Sequence, residues 1–221
     1  MTYQEGSVFS PEQLEASLAK AIQQWGADSS KTEVLYSQLG TLYAERVESA
    51  KSTNRQKELI LAQEYLEKAI VLQTKFQKLE ALATSLNNLA SLYDSQGKYS
   101  EAELLYLDAL EMRRRLFTGD HSDVATILNN LAGLYRSQGR CSEAEPLYLE
   151  ALAMSERVLE TNHPTTITVR NNLQILQQQL IPRFFYKRLL NNLLAVLTLL
   201  LHRLRLLIKR IIIFSWRLFR R

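Results

Sequence analysis

Apolar and small residues recur at helical spacing in two consecutive stretches of the chain. In residues 83–96 one helix face is formed by Leu86, Leu89, Ala90 and Tyr93, at positions i, i+3, i+4 and i+7. Gly97 then suits the left-handed conformation that often ends a helix. A second helix face follows at the same spacing, formed by Ala102, Leu105, Tyr106, Ala109 and Leu110. The pattern predicts two helices joined by a short turn.

This helical pair is repeated in the sequence. Residues 83–124 and 125–166 align without a gap at a shift of 42 residues, and 24 of the 42 positions are identical. A third copy starts as ITVRNN and soon degenerates; its Asn171-Asn172 corresponds to Asn129-Asn130 and to Asn87-Asn88. Repeats of this length are typical of solenoids, in which each unit buries its apolar face against its neighbours.

The chain divides around these repeats. We predict an N-terminal capping helix in residues 1–31, starting at Ser10-Pro11, with Leu14, Leu18, Ile22 and Trp25 as its apolar face. A divergent unit, 32–82, has about ten extra polar residues near 48–56, predicted to form an exposed loop. The remaining segments are the units 83–124 and 125–164, a terminal helix 165–181 and a tail 183–221.

The repeats resemble the tetratricopeptide repeat (TPR) family, and in particular its kinesin light chain-like subtype. The resemblance is carried by Leu-Ala-x-x-Tyr in the first helix (helix A) and by Ala, Tyr and Ala in the second (helix B), over about residues 33–180. It implies an all-α fold, a superhelix of helical hairpins (an α-solenoid) in which A helices line a concave groove. Such grooves bind a protein or peptide ligand.

The resemblance also implies which side chains face the groove. They are Thr84, Asn87, Asn88, Ser91, Asp94, Thr126, Asn129, Asn130, Arg136, Arg170 and Asn171. An amide carries both donors and an acceptor, so Asn87, Asn129 and Asn171 are hypothesised to contact a bound peptide backbone. The alternative is that the Asn pairs bridge successive A helices. Arg136 and Arg170 could favour an acidic segment.

Candidate chemistry beyond binding is sparse. Ser100-x-x-Glu103 and Ser142-x-x-Glu145 match the capping box of a helix start. His121 and His163 occupy the same turn between units and are interpreted as helix caps rather than metal ligands. The single cysteine excludes a disulfide framework. We predict no catalytic residue, no metal site and no cofactor.

The tail differs from the rest of the chain in charge. Residues 1–160 hold 16 Lys and Arg against 23 Asp and Glu, whereas residues 161–221 hold eleven Lys and Arg and no acid. On a helical wheel the tail predicts one basic amphipathic helix, suited to an anionic membrane surface. Its expected membrane contacts are Leu193, Leu197, Leu200, Arg203, Leu204, Arg205, Lys209, Arg210, Phe214 and Trp216.

These features together predict a non-catalytic protein-binding scaffold in the cytoplasm, tethered at the membrane surface by its tail. Several alternatives stay open. The tail could dock on the repeats (autoinhibition or oligomerisation), insert as a hairpin or be unselected sequence, and the chain could be the regulatory subunit of an enzyme. Nucleic acid is not an expected partner, because phosphate contact does not need so wide an apolar face. The oligomeric state is left open.

Overall fold

The computed structural model describes residues 10–49, 54–180, 193–194, 197–198 and 201. The prediction of an all-α fold is confirmed, since the described residues form helices and connections without a strand. The helices are α1 Pro11–Trp25, α2 Ser30–Ser49, α3 Arg55–Lys75, α4 Leu79–Ser95, α5 Tyr99–Leu116, α6 Ser122–Ser137 and α7 Cys141–Val158. Residues 164–180 are also helical.

Contacts divide the chain into two units, Met1–Leu173 and Gln174–Arg221. In the first unit, α2 packs on α3, α4 on α5 and α6 on α7, which gives three helical hairpins. The hairpins stack in chain order through α3 on α4 and α5 on α6, and α4 also contacts both α2 and α6. This stacking of hairpins is an α-solenoid, with α2, α4 and α6 as the A helices.

Alanines allow the helices of each hairpin to approach closely, and one larger residue fills the space between them. The B helices α3, α5 and α7 bury their equivalent side chains almost completely; these are Ala62, Leu66 and Ala69, then Ala102, Tyr106 and Ala109, then Ala144, Tyr148 and Ala151. Leu and Tyr residues of the A helices complete the core, among them Leu39, Leu89 and Leu131.

The turns inside the second and third hairpins each contain a glycine with positive φ. Gly97 and Gly139 have φ of 74° and 75°, a conformation that favours glycine. The predicted capping boxes are wrong, because α5 and α7 begin at the residue before each serine and have no side-chain cap. Glu103 instead accepts hydrogen bonds from Tyr135 and Arg140, both at 2.8 Å.

The N-terminal helix α1 begins where the sequence predicts. The Ser10 hydroxyl accepts from the Gln13 amide, and the Gln13 side chain accepts from the Ser10 amide, so α1 starts with a true capping box. Leu14, Leu18 and Ala21 are buried. The expectation that Ile22 and Trp25 belong to this buried face is wrong, since they are 36% and 43% exposed.

The insertion of the divergent unit contains less loop than expected. Residues 48–49 belong to α2, and Arg55 and Gln56 belong to α3. The extra residues therefore lengthen both helices of this hairpin, to 20 and 21 residues, against 17 and 18 in the next hairpin. The centre of the predicted loop, residues 50–53, lies outside the described residues.

In the second unit, residues 174–180 and the described tail residues 193, 194, 197, 198 and 201 are helical. Leu193, Leu194, Leu197 and Leu201 are each more than half exposed. The other predicted membrane contacts, which are Leu200, Arg203, Leu204, Arg205, Lys209, Arg210, Phe214 and Trp216, lie outside the described residues. Within the described ranges, no helix combines the length and apolar character needed to cross a membrane.

Candidate functional site

The predicted groove residues lie on successive A helices. Thr84, Asn87, Asn88, Ser91 and Asp94 are on α4; Thr126, Asn129, Asn130 and Arg136 are on α6; Arg170 and Asn171 are on the helical segment 164–173. We call the surface that carries these side chains the A-helix face. Thr84 and Asn171 are exposed and the others are partly buried, which suits side chains that are held in place yet reachable.

Amide side chains on this face form one continuous series of hydrogen bonds, which we call the amide chain. Between helices, Asn172 donates to Asn129 at 2.9 Å and Asn130 donates to Asn87 at 3.1 Å. Within each pair, Asn129 donates to Asn130 and Asn87 donates to Asn88, both at 3.3 Å. Asn88 then donates to the Thr41 hydroxyl at 3.0 Å, so the series reaches α2.

The amide chain gives the Asn pairs a structural role. The sequence left bridging between A helices as the alternative to ligand contact, and the structure contains that bridge. Bridging does not use the full capacity of these groups, because an amide nitrogen has two hydrogens and its oxygen has two lone pairs. Asn87 and Asn129 each donate one bond and accept one within the chain. Ligand contact by the remaining groups stays a prediction.

A cluster of polar groups lies at the C-terminal ends of α4 and α6. Asp94 and Arg136 occupy equivalent positions of the two units and interact electrostatically. Burial raises the pKa of the Asp94 carboxyl, and the Arg136 guanidinium opposes that rise. Burial likewise raises the pKa of the Tyr148 hydroxyl, again with Arg136 opposing. Arg136 therefore interacts electrostatically with both the Asp94 carboxyl and the Tyr148 hydroxyl.

Arg170 is also paired with an acid. Its Nη2 donates to Glu156 of α7 at 2.8 Å, and both side chains are about 40% exposed. The idea that Arg136 and Arg170 favour an acidic segment therefore loses support at Arg170, whose guanidinium is paired with the Glu156 carboxylate. Arg136 interacts electrostatically with Asp94.

An arginine missed by the sequence interpretation lies between the A helices. Arg113, in the last turn of α5, is only 6% exposed and forms the wall of an open cavity of about 200 Å³. Its Nη2 donates to the Thr84 hydroxyl at 2.6 Å, and its Nη1 lies 3.1 Å from Asp123 Oδ2. Asn87, Asn88 and Thr126 also line this cavity, so it belongs to the A-helix face.

A larger cavity of about 410 Å³ lies elsewhere, between the α1–α2 connection, α2 and α3. None of its lining residues was predicted from the groove pattern.

The two histidines between the repeat units cap helices as expected: His121 Nδ1 accepts from the Asp123 amide and His163 Nδ1 from the Thr165 amide, both at 3.2 Å. Among the described residues, no group of His, Cys, Asp or Glu side chains is arranged to hold a metal ion.

Comparison with known proteins agrees with this geometry. The sequence model of the tetratricopeptide repeat matches residues 82–123 and 124–165. Two crystal structures of a Podosopora anserina putative kinesin light chain with nearly identical TPR-like repeats, one of them a point variant, are 21% identical to this chain. The structure of the variant has a TM-score of 0.61 and covers 84% of each chain; the other has 0.60 and 82% of each.

The crystal structure of BtubC (BKLC) from P. vanneervenii is 26% identical, with a TM-score of 0.53, and covers 76% of this chain and 71% of that one. Among curated proteins, no sequence matches the chain at a significant level. The model matches and the stacking of the hairpins identify residues 82–165 as tetratricopeptide repeats within an α-solenoid. More narrowly, the solved structures that the chain resembles include kinesin light chain-like proteins. Tetratricopeptide repeats form a scaffold for protein–protein interaction.

Proposed function

We propose that this protein is a non-catalytic scaffold that binds an extended segment of another polypeptide along its A-helix face. The observation that carries the proposal is the amide chain, which runs across α6 and α4 to α2. It fixes a row of amides whose unused hydrogens and lone pairs match the alternating donors and acceptors of a peptide backbone. Hydrogen bonds to the backbone add affinity whatever side chains the ligand carries.

The chemistry of the surrounding side chains suits binding. The A-helix face offers amides, hydroxyls and charges that are balanced in pairs, such as Arg113 with Asp123 and Arg170 with Glu156. Fixed groups of this kind hold a ligand by hydrogen bonds, whereas acid–base catalysis needs a proton donor or acceptor with a matched pKa at the reacting atom.

The test is selection of binders from a random peptide library on the full chain, followed by calorimetric titration of one selected peptide. Thr126→Arg places a long side chain in the cavity on the A-helix face and is expected to weaken binding at least about tenfold. Leu149→Arg changes an exposed position on α7 and serves as the matched control. Equal affinity for both variants and the wild type, or no peptide selected at all, would contradict the proposal.

We further propose that the tail holds the scaffold at an anionic membrane surface, on the cytoplasmic side. The exposed leucines at 193, 197 and 201 follow one another at the i+4 spacing of a single helix face. The tail also carries ten of the eleven Lys and Arg that follow residue 160, with no acid among them. Apolar burial and attraction of basic residues to anionic lipid act together at such a surface.

Flotation with phosphatidylserine-containing liposomes tests this tethering. The full chain is expected to float with these vesicles and far less with neutral ones, and a chain ending at Leu180 is expected to stay in the dense fraction. Leu197→Glu with Leu201→Glu should reduce flotation in the intact chain, while Leu149→Glu should not. If the full chain and the chain ending at Leu180 partition alike, the tail is not the tether.

A further inference from the structure

Arg113 gives the cavity between α4 and α6 a buried charge. The guanidinium contacts Thr84 of α4 through Nη2 and Asp123 of α6 through Nη1, so it joins two successive units beneath the A-helix face. Within the described part of the chain its Nε has no hydrogen-bond partner, although that atom is fully buried. Removing the one carboxylate partner of such a buried cation is energetically costly, because the charge is then left uncompensated.

Equivalent positions in the other hairpins are buried and polar but uncharged. Gln73 of α3 and Ser155 of α7 occupy the place of Arg113, and both are fully buried. Gln73 donates to Glu33 of its own hairpin at 2.7 Å, and Ser155 donates to the carbonyl of Ala151 in its own helix at 2.8 Å. Arg113 differs from both because it reaches an acid of the following unit, which gives this cavity a distinct composition.

The cavity is balanced in charge. It contains one guanidinium and one carboxylate in contact, and its other polar walls are the neutral side chains of Thr84, Asn87, Asn88 and Thr126. An acidic guest would face Asp123, and a basic guest would face Arg113, so either one must weaken the existing pair. A neutral guest that both donates and accepts meets no such repulsion.

The dimensions also suit a single small side chain. About 200 Å³ of open space holds on the order of six water molecules. The Asp123 side chain is 43% exposed, so its carboxylate can be reached from solvent while Oδ2 contacts Arg113. Asn87 has a further amide hydrogen outside the amide chain. An amide or hydroxyl guest can therefore donate to Asp123 and accept from Asn87.

We propose that the Arg113 cavity is a specificity subsite of the A-helix face, selecting a neutral hydrogen-bonding side chain (Asn, Gln, Ser or Thr) from the bound polypeptide. The inference rests on the proposed scaffold function and adds the chemical class of one ligand residue.

The experiment repeats the random-peptide selection on the full chain in four forms. They are the wild type, Asp123→Asn, Arg113→Gln and the control Glu150→Gln. Asp123→Asn leaves the cavity with a net positive charge, and Arg113→Gln leaves it with a net negative charge while introducing the residue that unit 32–82 has at this place. Glu150→Gln removes an acid from an exposed pair with Arg114 that is not part of this cavity. Thermal melting confirms that each form is folded.

The wild type and Glu150→Gln are expected to enrich a neutral polar residue at one peptide position. Asp123→Asn should shift that position toward Asp and Glu, and Arg113→Gln toward Lys and Arg, each by about tenfold. Peptides that bind all four forms with the same residue at every position would overturn the subsite and leave the scaffold standing. A library that yields no binder on any form would overturn the scaffold itself. If Asp123→Asn or Arg113→Gln does not fold, the change in residue preference expected for the other variant still tests the subsite.

Discussion

Asn130 donates a 3.1 Å hydrogen bond to Asn87, so the second asparagine of one pair binds the first asparagine of the preceding pair. Asn172 and Asn129 repeat the relationship one unit later at 2.9 Å. Every donor in the amide chain points toward Thr41, so each amide orients the next one. Hydrogen bonds in such a series strengthen one another. The residues proposed to meet a ligand are thus held in place before it arrives.

This arrangement predicts that Asn129→Ala destabilises the fold. The change leaves the Asn172 amide and the Asn130 oxygen without their partner, so we expect a loss of about 1–3 kcal/mol in the free energy of unfolding. Urea denaturation measures it. Asn171→Ala is the matched control, because Asn171 is the equivalent residue, is exposed and lies outside the amide chain; its effect should stay within about 0.5 kcal/mol. Equal losses in both variants would contradict the amide chain.

Two glycines within the A helices predict opposite outcomes when changed to alanine. A Cβ at Gly40 would lie 2.7 Å from Leu66 Cγ and 3.0 Å from its backbone nitrogen, so Gly40→Ala should separate α2 from α3 and cost about 1–3 kcal/mol. At Gly133 the nearest atom is the Tyr148 hydroxyl at 3.5 Å, an ordinary contact. Gly133→Ala should therefore stabilise α6 by up to about 1 kcal/mol. Thermal unfolding of both variants decides, and a stabilising Gly40→Ala would show that α2 and α3 are not so close.

The junction of α1 with the first hairpin predicts a loss of stability at alkaline pH. The hydroxyls of Tyr43 and Tyr65 both donate to Glu15, at 2.8 and 3.2 Å. Burial, and then the hydrogen bond and charge of Glu15, raise the pKa of Tyr43 above its ordinary value; burial and Glu15 raise the pKa of Tyr65 to about 12. A raised pKa in the folded state means that the stabilisation is complete below about pH 10 and is lost as pH rises toward 12.

Unfolding midpoints in urea between about pH 9 and pH 11 check this expectation, with Glu15→Gln as the comparison. The variant removes the negative charge, so its stability should decline less steeply over the same interval. At neutral pH it should lose about 1 kcal/mol, because a charged acceptor of two hydrogen bonds is replaced by a neutral one. Parallel pH profiles for the two proteins would show that Glu15 does not control these tyrosines.

Substitutions at the starts of the A and B helices are expected to change the stability of the fold by different amounts. His121 caps α6, so His121→Ala should cost about 0.5–2 kcal/mol, and His121→Asn should recover most of it. Ser100 lies inside α5 and caps nothing, so Ser100→Ala should be nearly neutral. Differential scanning calorimetry of the three variants compares them. A larger loss for Ser100→Ala than for His121→Ala would restore the capping box that the sequence suggested.

Features repeated at 42 residues were predictable from the sequence, because they depend on local helical spacing and on neighbours in a similar unit. The buried Ala and Tyr positions and the histidine caps belong to this group. The capping boxes failed because Ser-x-x-Glu fits the first turn of a helix equally well. Ile22 and Trp25 share the helical spacing of Leu14 and Leu18, yet they are substantially exposed near the C-terminal end of α1.

Arg113 shows why the candidate site was only partly predictable. It stands in a run of three arginines at the end of a helix, a pattern typical of an exposed surface. Its burial depends on the packing of α5 against α6 and on Asp123, which is set by tertiary structure. One signal was available: Gln73 and Ser155, its counterparts, are also polar at a position that follows the buried alanines at helical spacing. That regularity indicates a buried polar position in every hairpin.

Photo-crosslinking tests most directly whether the A helices form the binding surface. A peptide selected on the full chain is resynthesised with a benzoylphenylalanine, crosslinked to the protein and mapped by mass spectrometry. We expect crosslinks on α4, α6 and residues 164–173, near Thr84, Thr126 and Asn171. Crosslinks confined to the exposed B-helix positions Leu104 and Leu149 would contradict it.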